Sequence, residues 1–431
     1  MITSTLFIGL AVLFFLAAVG VPVALAMALS GFLGFGLVVG WPAALAVVGQ
    51  TAYDTAFSYE LAILPLFILM GNFITRARLS EELYSAAYAF VGHMRGGLSL
   101  ATLIACSGFS AVCGSSLATA ATMSRVTMPS MRKFGYKDSL ATGSIAAGGT
   151  LGILIPPSVA LVLYGIMTNN DIGLLFIAGI IPGLIGLALY CTAAYIVTLI
   201  DPAAGPRGER FSWRQRLQVL RGVWGVALLF IVVIGGIYLG VFTSTEAAGI
   251  GAGFACLFAI IKGRMRLHEF FGILIDTACM TAMLFMVIIG ALIFSHFVNV
   301  GGLLQALNTL VHTLNLGPTG VLIGVLLVYI ALGLVLESMS MLLLTIPIFY
   351  PLMMGYGFDP IWFGIIVVVV TEISLITPPV GMNIFVLRAT LPDVETATIV
   401  RGVIPFVLAD VVRLSLLAFI PILVLFLPNS V

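Results

Sequence analysis

Long unbroken apolar runs alternate with short polar breaks along the chain. The runs cover 5–20, 22–39, 61–75, 172–200, 222–241, 245–261, 276–297 and 403–427. A helix rising about 1.5 Å per residue needs about 20 such residues to cross a bilayer core. A membrane barrel would instead show alternating segments of about ten residues. The pattern therefore predicts spanning helices. The first run does not read as a secretory signal, because no basic stretch precedes it and a second apolar run follows at once.

The bases fall in clusters. Arg76, Arg78 and Arg95 form one, and Arg125, Arg132, Lys133 and Lys137 a second. Arg207, Arg210, Arg214, Arg216 and Arg221 fill 201–221, and Lys262, Arg264 and Arg266 follow. By contrast 40–60, 168–172, 298–317 and 354–361 hold no Lys or Arg. The positive-inside rule assigns the first set to the cytoplasm and the second to outer loops, with Asp54 and Glu60 solvated there. The segment 96–131 then starts and ends on the cytoplasmic side, and 318–353 on the outside. Both read as re-entrant helical hairpins, tolerated at depth only where protein or a water-filled cavity covers them.

The chain also repeats itself. Pro129, Phe134-Gly135-Tyr136 and Pro156-Pro157 recur 222 residues later as Pro351, Tyr356-Gly357-Phe358 and Pro378-Pro379. Ile181-Pro182 recurs at 223 as Ile404-Pro405. Residues 1–200 and 222–431 thus form two repeats around a basic cytoplasmic loop, 201–221. Each holds five crossings and one hairpin. Five is odd, so the second repeat is inverted. The expected architecture is an all-α polytopic membrane protein with two inverted-topology repeats. It has about ten full crossings, two re-entrant hairpins, and broken helices at about 138–168 and 360–390.

Composition supports this. Of 431 residues 61% are hydrophobic and 8% charged, against about 25% charged in a soluble domain. That excludes a soluble enzyme, a nucleic-acid-binding domain and a secreted disulfide scaffold. The five cysteines lie in apolar runs and give no disulfide framework or metal spacing. No lysine sits in a Walker A motif, and HExxH and GxSxG are absent, so ATP-driven pumping and intramembrane catalysis are disfavoured. Two inverted hairpins argue against a passive channel.

Inverted repeats with interrupted helices at matching positions point to a secondary transporter and its site. The interruptions are Gly148 to Gly152 with Pro156-Pro157, and Thr371 to Ser374 with Pro378-Pro379 and Gly381-Met382-Asn383. Proline frees carbonyls one turn back. Carbonyls and hydroxyls in a dry setting suit a small hard cation such as Na⁺. The hairpins turn at Cys113-Gly114-Ser115-Ser116-Leu117-Ala118-Thr119 and near Glu337-Ser338-Met339-Ser340. Glu337 and Glu372 are intramembrane carboxylates, either functional or hydrogen-bonded structural groups. Thr243 to Glu246 reads as a capping box. Arg388 is an attractor for an anionic substrate or a cytoplasmic anchor.

The stretches 113–123, 148–157 and 377–383 closely resemble the large membrane subunit of tripartite ATP-independent periplasmic (TRAP) transporters, and the resemblance runs over essentially the whole chain. It implies a bacterial inner-membrane importer of elevator type, driven by Na⁺. Its substrate would be an organic acid such as a C4-dicarboxylate, another carboxylate or a sialic acid. A periplasmic substrate-binding protein would deliver it, and a small four-helix membrane subunit, here a separate polypeptide, would complete the complex. The resemblance places one Na⁺ site at Gly114, Ser115, Ser116, Gly148, Thr150 and Gly152. It places a second at Glu337, Ser338, Ser340, Thr371, Ser374 and Thr377. Substrate would bind near Thr119, Ser340, Gly381 and Asn383. The alternative is a stand-alone Na⁺- or H⁺-coupled carboxylate symporter with no binding protein.

Overall fold

The predicted apolar runs are helical in the computed structural model. The structure describes residues 2–77, 79–263, 265–334, 336–379 and 381–430. Arg78 and Arg264 of the basic clusters lie outside them. The chain opens with α1 (Ile2–Ala18), α2 (Val23–Val39), α3 (Trp41–Phe57), α4 (Ile63–Arg76) and α5 (Leu79–Val91). Then α6 (Gly97–Cys113) and α7 (Ser116–Lys133) form hairpin 1. The first broken helix comprises α8 (Asp138–Thr150) and α9 (Val159–Thr168), and α10 (Ile172–Ile200) follows. Beyond a polar link come α11 (Trp213–Tyr238), α12 (Ser244–Gly263), α13 (Leu267–Val300) and α14 (Leu303–Thr313). Hairpin 2 is α15 (Pro318–Gly333) with α16 (Ser338–Gly355). The second broken helix is α17 (Pro360–Ile376) with α18 (Met382–Thr390), followed by α19 (Thr396–Phe419) and α20 (Ile422–Leu425). The order hairpin, broken helix, long helix therefore occurs twice.

Two expectations change, and the count of crossings takes a qualification. The base-free stretch 40–60 is mostly helix α3, which meets Glu60–Arg76 at a 59° bend. Pro42 lies in its first turn, where a missing N–H costs nothing. Asp54 and Glu60 are nevertheless exposed. The basic link is also shorter than 201–221, because a capping box between Ser212 and Gln215 starts α11 at Trp213. Finally, among the described residues six helices are long and apolar enough to cross a membrane alone, or seven with the bent pair, so a total of about ten crossings has to count shorter apolar helices as well. The 17-residue α1 and α2 reach only about 26 Å each. The capping box at Glu246 is present: its carboxylate accepts from Thr243 N at 2.9 Å, and Thr243 Oγ1 accepts from Glu246 N at 3.3 Å.

Two apolar cores organise the packing. One gathers α5, hairpin 1, α8, α18, α19 and part of α10. The other gathers hairpin 2, α9, α17 and the flanking long helices. The site forms where they meet.

Candidate functional site

Hairpin 1 turns at Gly114, whose φ of 65° lies in the left-handed region that glycine adopts without a Cβ penalty. Ser115 then caps α7, its Oγ accepting from Ala118 N at 3.3 Å. The hairpin rests on the first break. A Cβ on Gly149 would lie 3.1 Å from Ser116 O, one on Gly148 2.7 Å from Cys106 Cβ, and one on Gly152 2.2 Å from Ser110 Cβ. α8 ends at Thr150, where the backbone tightens into a 3-10 turn, Leu151–Ile153, ahead of the cis-linked Pro156 and Pro157. The first predicted cation set is thus a single neighbourhood of tip and break.

Hairpin 2 makes the equivalent contact. Glu337 caps α16, one carboxylate oxygen accepting from Met339 N at 3.0 Å and Ser340 N at 3.2 Å. Ser338 and Ser340 are buried just beyond it. A Cβ on Gly333, at the end of α15, would lie 2.0 Å from Ser374 Oγ on the second break. Gly152 and Ser374 stand 222 residues apart, and Ser110 and Gly333 stand 223 apart. Each hairpin therefore meets its break through one glycine and one serine, with the roles exchanged. Thr371, Ser374 and Thr377 donate to Val367 O, Thr371 O and Ile373 O at 2.8, 2.6 and 2.6 Å. Each hydroxyl oxygen keeps lone pairs that a cation could use. Pro378 and Pro379, also cis-linked, end this stretch.

Of the predicted substrate set, three residues gather beside hairpin 1. α18 packs on both α7 and α8. Asn383 Nδ2 donates to Ala146 O at 2.9 Å, while Asn383 Oδ1 and Thr119 Oγ1 are buried without a hydrogen-bond partner. Gly381 has φ 43° and begins α18. Ser340 belongs instead to α16, which packs on α9 and α17. The two broken helices run antiparallel. Arg132, at the end of α7, bridges Asp138 at the start of α8 and Asp393 just after α18, at 2.9 and 2.6 Å. At the other end, Tyr164 of α9 donates to Pro360 O at the start of α17 at 2.6 Å. Arg388 Nη1 donates to Pro392 O and Val394 O, in the turn after its own helix, at 2.8 and 2.6 Å.

One cluster escaped the sequence reading. Arg413 Nη2 donates to Glu372 Oε2 at 2.6 Å and lies 3.0 Å from Asp410 Oδ1, with all three side chains fully buried. Tyr190 OH donates to Asp410 Oδ2 at 2.6 Å and lies 3.2 Å from Thr150 Oγ1. The Arg413 guanidinium sits 5.7 Å over the Tyr190 ring. Thr150 and Glu372 are 222 residues apart, and Tyr190 and Arg413 are 223 apart. Thr150–Tyr190 and Glu372–Arg413 thus stand at a matching offset, each tying a break to the long helix after it. The available signal was two charges, Asp410 and Arg413, inside the apolar run 403–427.

Residues 10–423 match the family described as Tripartite ATP-independent periplasmic transporter, DctM component. The chain belongs to this DctM family. One DctM relative is the C4-dicarboxylate TRAP transporter large permease protein of Pseudomonas aeruginosa, 38% identical over 88% of each chain. Another is the ectoine/5-hydroxyectoine TRAP transporter large permease protein of Ruegeria pomeroyi, 32% identical over 98% of each. A third is the sialic acid TRAP transporter large permease protein of Vibrio cholerae, 33% identical over 86% of this chain and 87% of that one. These relatives are permeases, proteins of transport and not of catalysis. Among solved structures, the Alcanivorax borkumensis YdaH transporter matches at a TM-score of 0.61 and 15% identity, over 87% of this chain and 89% of that one, a likeness of fold alone.

Proposed function

We propose that this DctM-family chain is the permease of a TRAP system that imports an organic acid on a Na⁺ gradient, without ATP. The observation that carries this reading is the matched seating of both hairpins, Ser110 on Gly152 and Gly333 on Ser374. Two equivalent tip-on-break contacts supply two places where carbonyls and hydroxyls converge. Na⁺ binds at both, and substrate binds beside Thr119, Gly381 and Asn383, with Ser340 approaching from the other hairpin. The antiparallel broken helices support inverted repeats. In this reading hairpins and breaks move as one body against the long helices, an elevator of about ten crossings in a bacterial inner membrane. Relatives named for C4-dicarboxylate, sialic acid and ectoine support a small organic acid as substrate. A periplasmic binding protein delivers it, and a small four-helix subunit completes the membrane complex.

The test is uptake into proteoliposomes holding this chain and its small subunit, with binding protein outside. Radiolabelled succinate and a sialic acid serve as probes. An inward Na⁺ gradient alone should drive accumulation of one of them. Uptake that ignores the gradient, requires ATP, or proceeds equally without the binding protein would contradict the proposal.

A further inference from the structure

The polar link after α10 is fastened to the turn between α5 and α6. Gly96 N donates to Gly205 O at 3.0 Å, and Gly208 N donates to Gly92 O at 2.9 Å. Tyr136 OH donates to Pro206 O at 2.8 Å, and Glu209 N donates to Tyr88 OH at 3.1 Å. The Tyr88 and Phe211 rings meet edge-on, 5.5 Å apart. The seating is close, since a Cβ on Gly208 would lie 2.8 Å from Gly92 O. A stretch rich in arginine is thereby held in place. Between the turn, the link and Tyr195 of α10 lies a cavity of about 540 Å³. Arg95 lines it from the turn, and Arg207 and Arg210 from the link. No carboxylate lines it, and among the described residues none of these three arginines makes an ion pair. His93 also lines the cavity, and its Nδ1 is buried with no hydrogen-bond partner. Three unpaired guanidiniums in a walled cavity suit an anion, and their forked donors match phosphate oxygens.

The position of the cavity selects among anions. It opens beside the last turns of α10, a helix long and apolar enough to cross a membrane. Leu184, Ala188, Thr192 and Tyr195 of that helix are exposed and three or four residues apart, so they form one stripe that ends at the cavity. Eleven residues of helix make the stripe about 16 Å long. That is about the depth of one leaflet of acyl chains, half of a core of about 30 Å. Tyr195 then sits at headgroup level, as does Trp213 at the start of α11, which is 71% exposed. A soluble anion would use the arginines and leave the stripe idle. We propose that the cavity binds the phosphodiester of an anionic diacyl phospholipid, with one acyl chain lying along α10. Basic pockets between helices at a membrane boundary take such headgroups. The bound lipid fixes the link between the two halves of the chain, and it does so whatever ion drives transport.

Native mass spectrometry of the full chain, stripped of lipid in a neutral detergent, tests this. The probes are dioleoyl phosphatidylglycerol, dioleoyl phosphatidylcholine with the same chains, and glycerol phosphate with none. The first lipid bound should be phosphatidylglycerol, at a concentration about tenfold or more below that needed for phosphatidylcholine. Each base near a membrane surface contributes about a factor of five. Arg207→Gln with Arg210→Gln should therefore weaken phosphatidylglycerol about 25-fold, and Arg95→Gln alone about fivefold. All three arginines are exposed and the link is held by backbone bonds, so these variants should fold. Lys133→Gln with Arg401→Gln removes two exposed bases elsewhere and should leave the binding unchanged. Glycerol phosphate should not displace the lipid at equal concentration. Equal binding of the two lipids, wild-type binding in both cavity variants, the same loss in the control, or displacement by glycerol phosphate would each overturn the proposal.

Discussion

Replacing Arg413 by Met removes the one cation from a wholly buried cluster. Arg413 holds Glu372 at 2.6 Å and Asp410 at 3.0 Å, and Gly186 leaves room for its Nη1, 2.3 Å from where a Cβ would stand. Met has a similar length and packs against Tyr190, so the change is chiefly one of charge. Removing one partner of a buried ion pair costs about 3–5 kcal/mol, because the other is left uncompensated. At about 2 °C per kcal/mol for a long chain, melting should fall by about 6–10 °C. The assay is thermal unfolding in detergent, followed by helical circular dichroism. Adding Glu372→Gln and Asp410→Asn to Arg413→Met removes every charge and should recover most of the loss, since neutral replacement of a whole buried group is often tolerated. An Arg413→Met variant melting within about 2 °C of wild type would refute the reasoning.

Gly333→Ala drives a Cβ to 2.0 Å from Ser374 Oγ and must lift hairpin 2 off its break. Na⁺-driven uptake should drop about tenfold or more, while Gly324→Ala, with nothing within 4 Å of the new Cβ, should match wild type. The Arg132 hydrogen bond holds the Asp393 carboxyl below its ordinary value of 3.8. As pH falls the unfolded chain therefore takes up this proton first. The contact's contribution is whole above about pH 4 and is lost as pH drops through the lowered folded value. Asp393→Asn should flatten the acid limb of a melting-versus-pH profile and leave the neutral region little changed. Arg210→Cys should react with a membrane-impermeant thiol reagent only from the cytoplasm, and Thr309→Cys only from outside. Labelling of both from one side would remove the inverted topology.

How much was legible depends on how the physics is written into the chain. Proline pairs and the Gly135 and Gly357 turns announce themselves, since few other residues tolerate those backbones. Both hairpins and both breaks were therefore readable at the 222 offset. The seating of tip on break was not, because Gly152–Ser110 and Gly333–Ser374 exchange residue types between the two hairpin-and-break units. The Thr150–Tyr190 and Glu372–Arg413 pairs were hidden for a related reason. The offset slips to 223 in the long helices, and a hydroxyl pair at the first break stands 222–223 residues from an ion pair at the second. Helix α3 was read as loop because Gln50, Thr51 and Asp54 dilute its hydropathy, though its small residues favour a helix.

The central claim is that the hairpin tips hold the driving cation, and one measurement reaches it directly. Initial uptake rate is recorded against Na⁺ concentration in proteoliposomes for wild type, Ser116→Ala and Ser338→Ala. Ser415→Ala is the control, a residue whose exposed hydroxyl bonds only Val411 O on its own helix. A lost hydrogen bond to a charged group costs about 1.5–3 kcal/mol, taken here as the scale for a lost cation ligand. Each tip variant should then raise half-saturating Na⁺ roughly 10- to 150-fold, with expression and assembly intact and Ser415→Ala unchanged. If both tip variants keep the wild-type half-saturating Na⁺ and maximal rate, these serines are packing groups and the driving ion binds elsewhere.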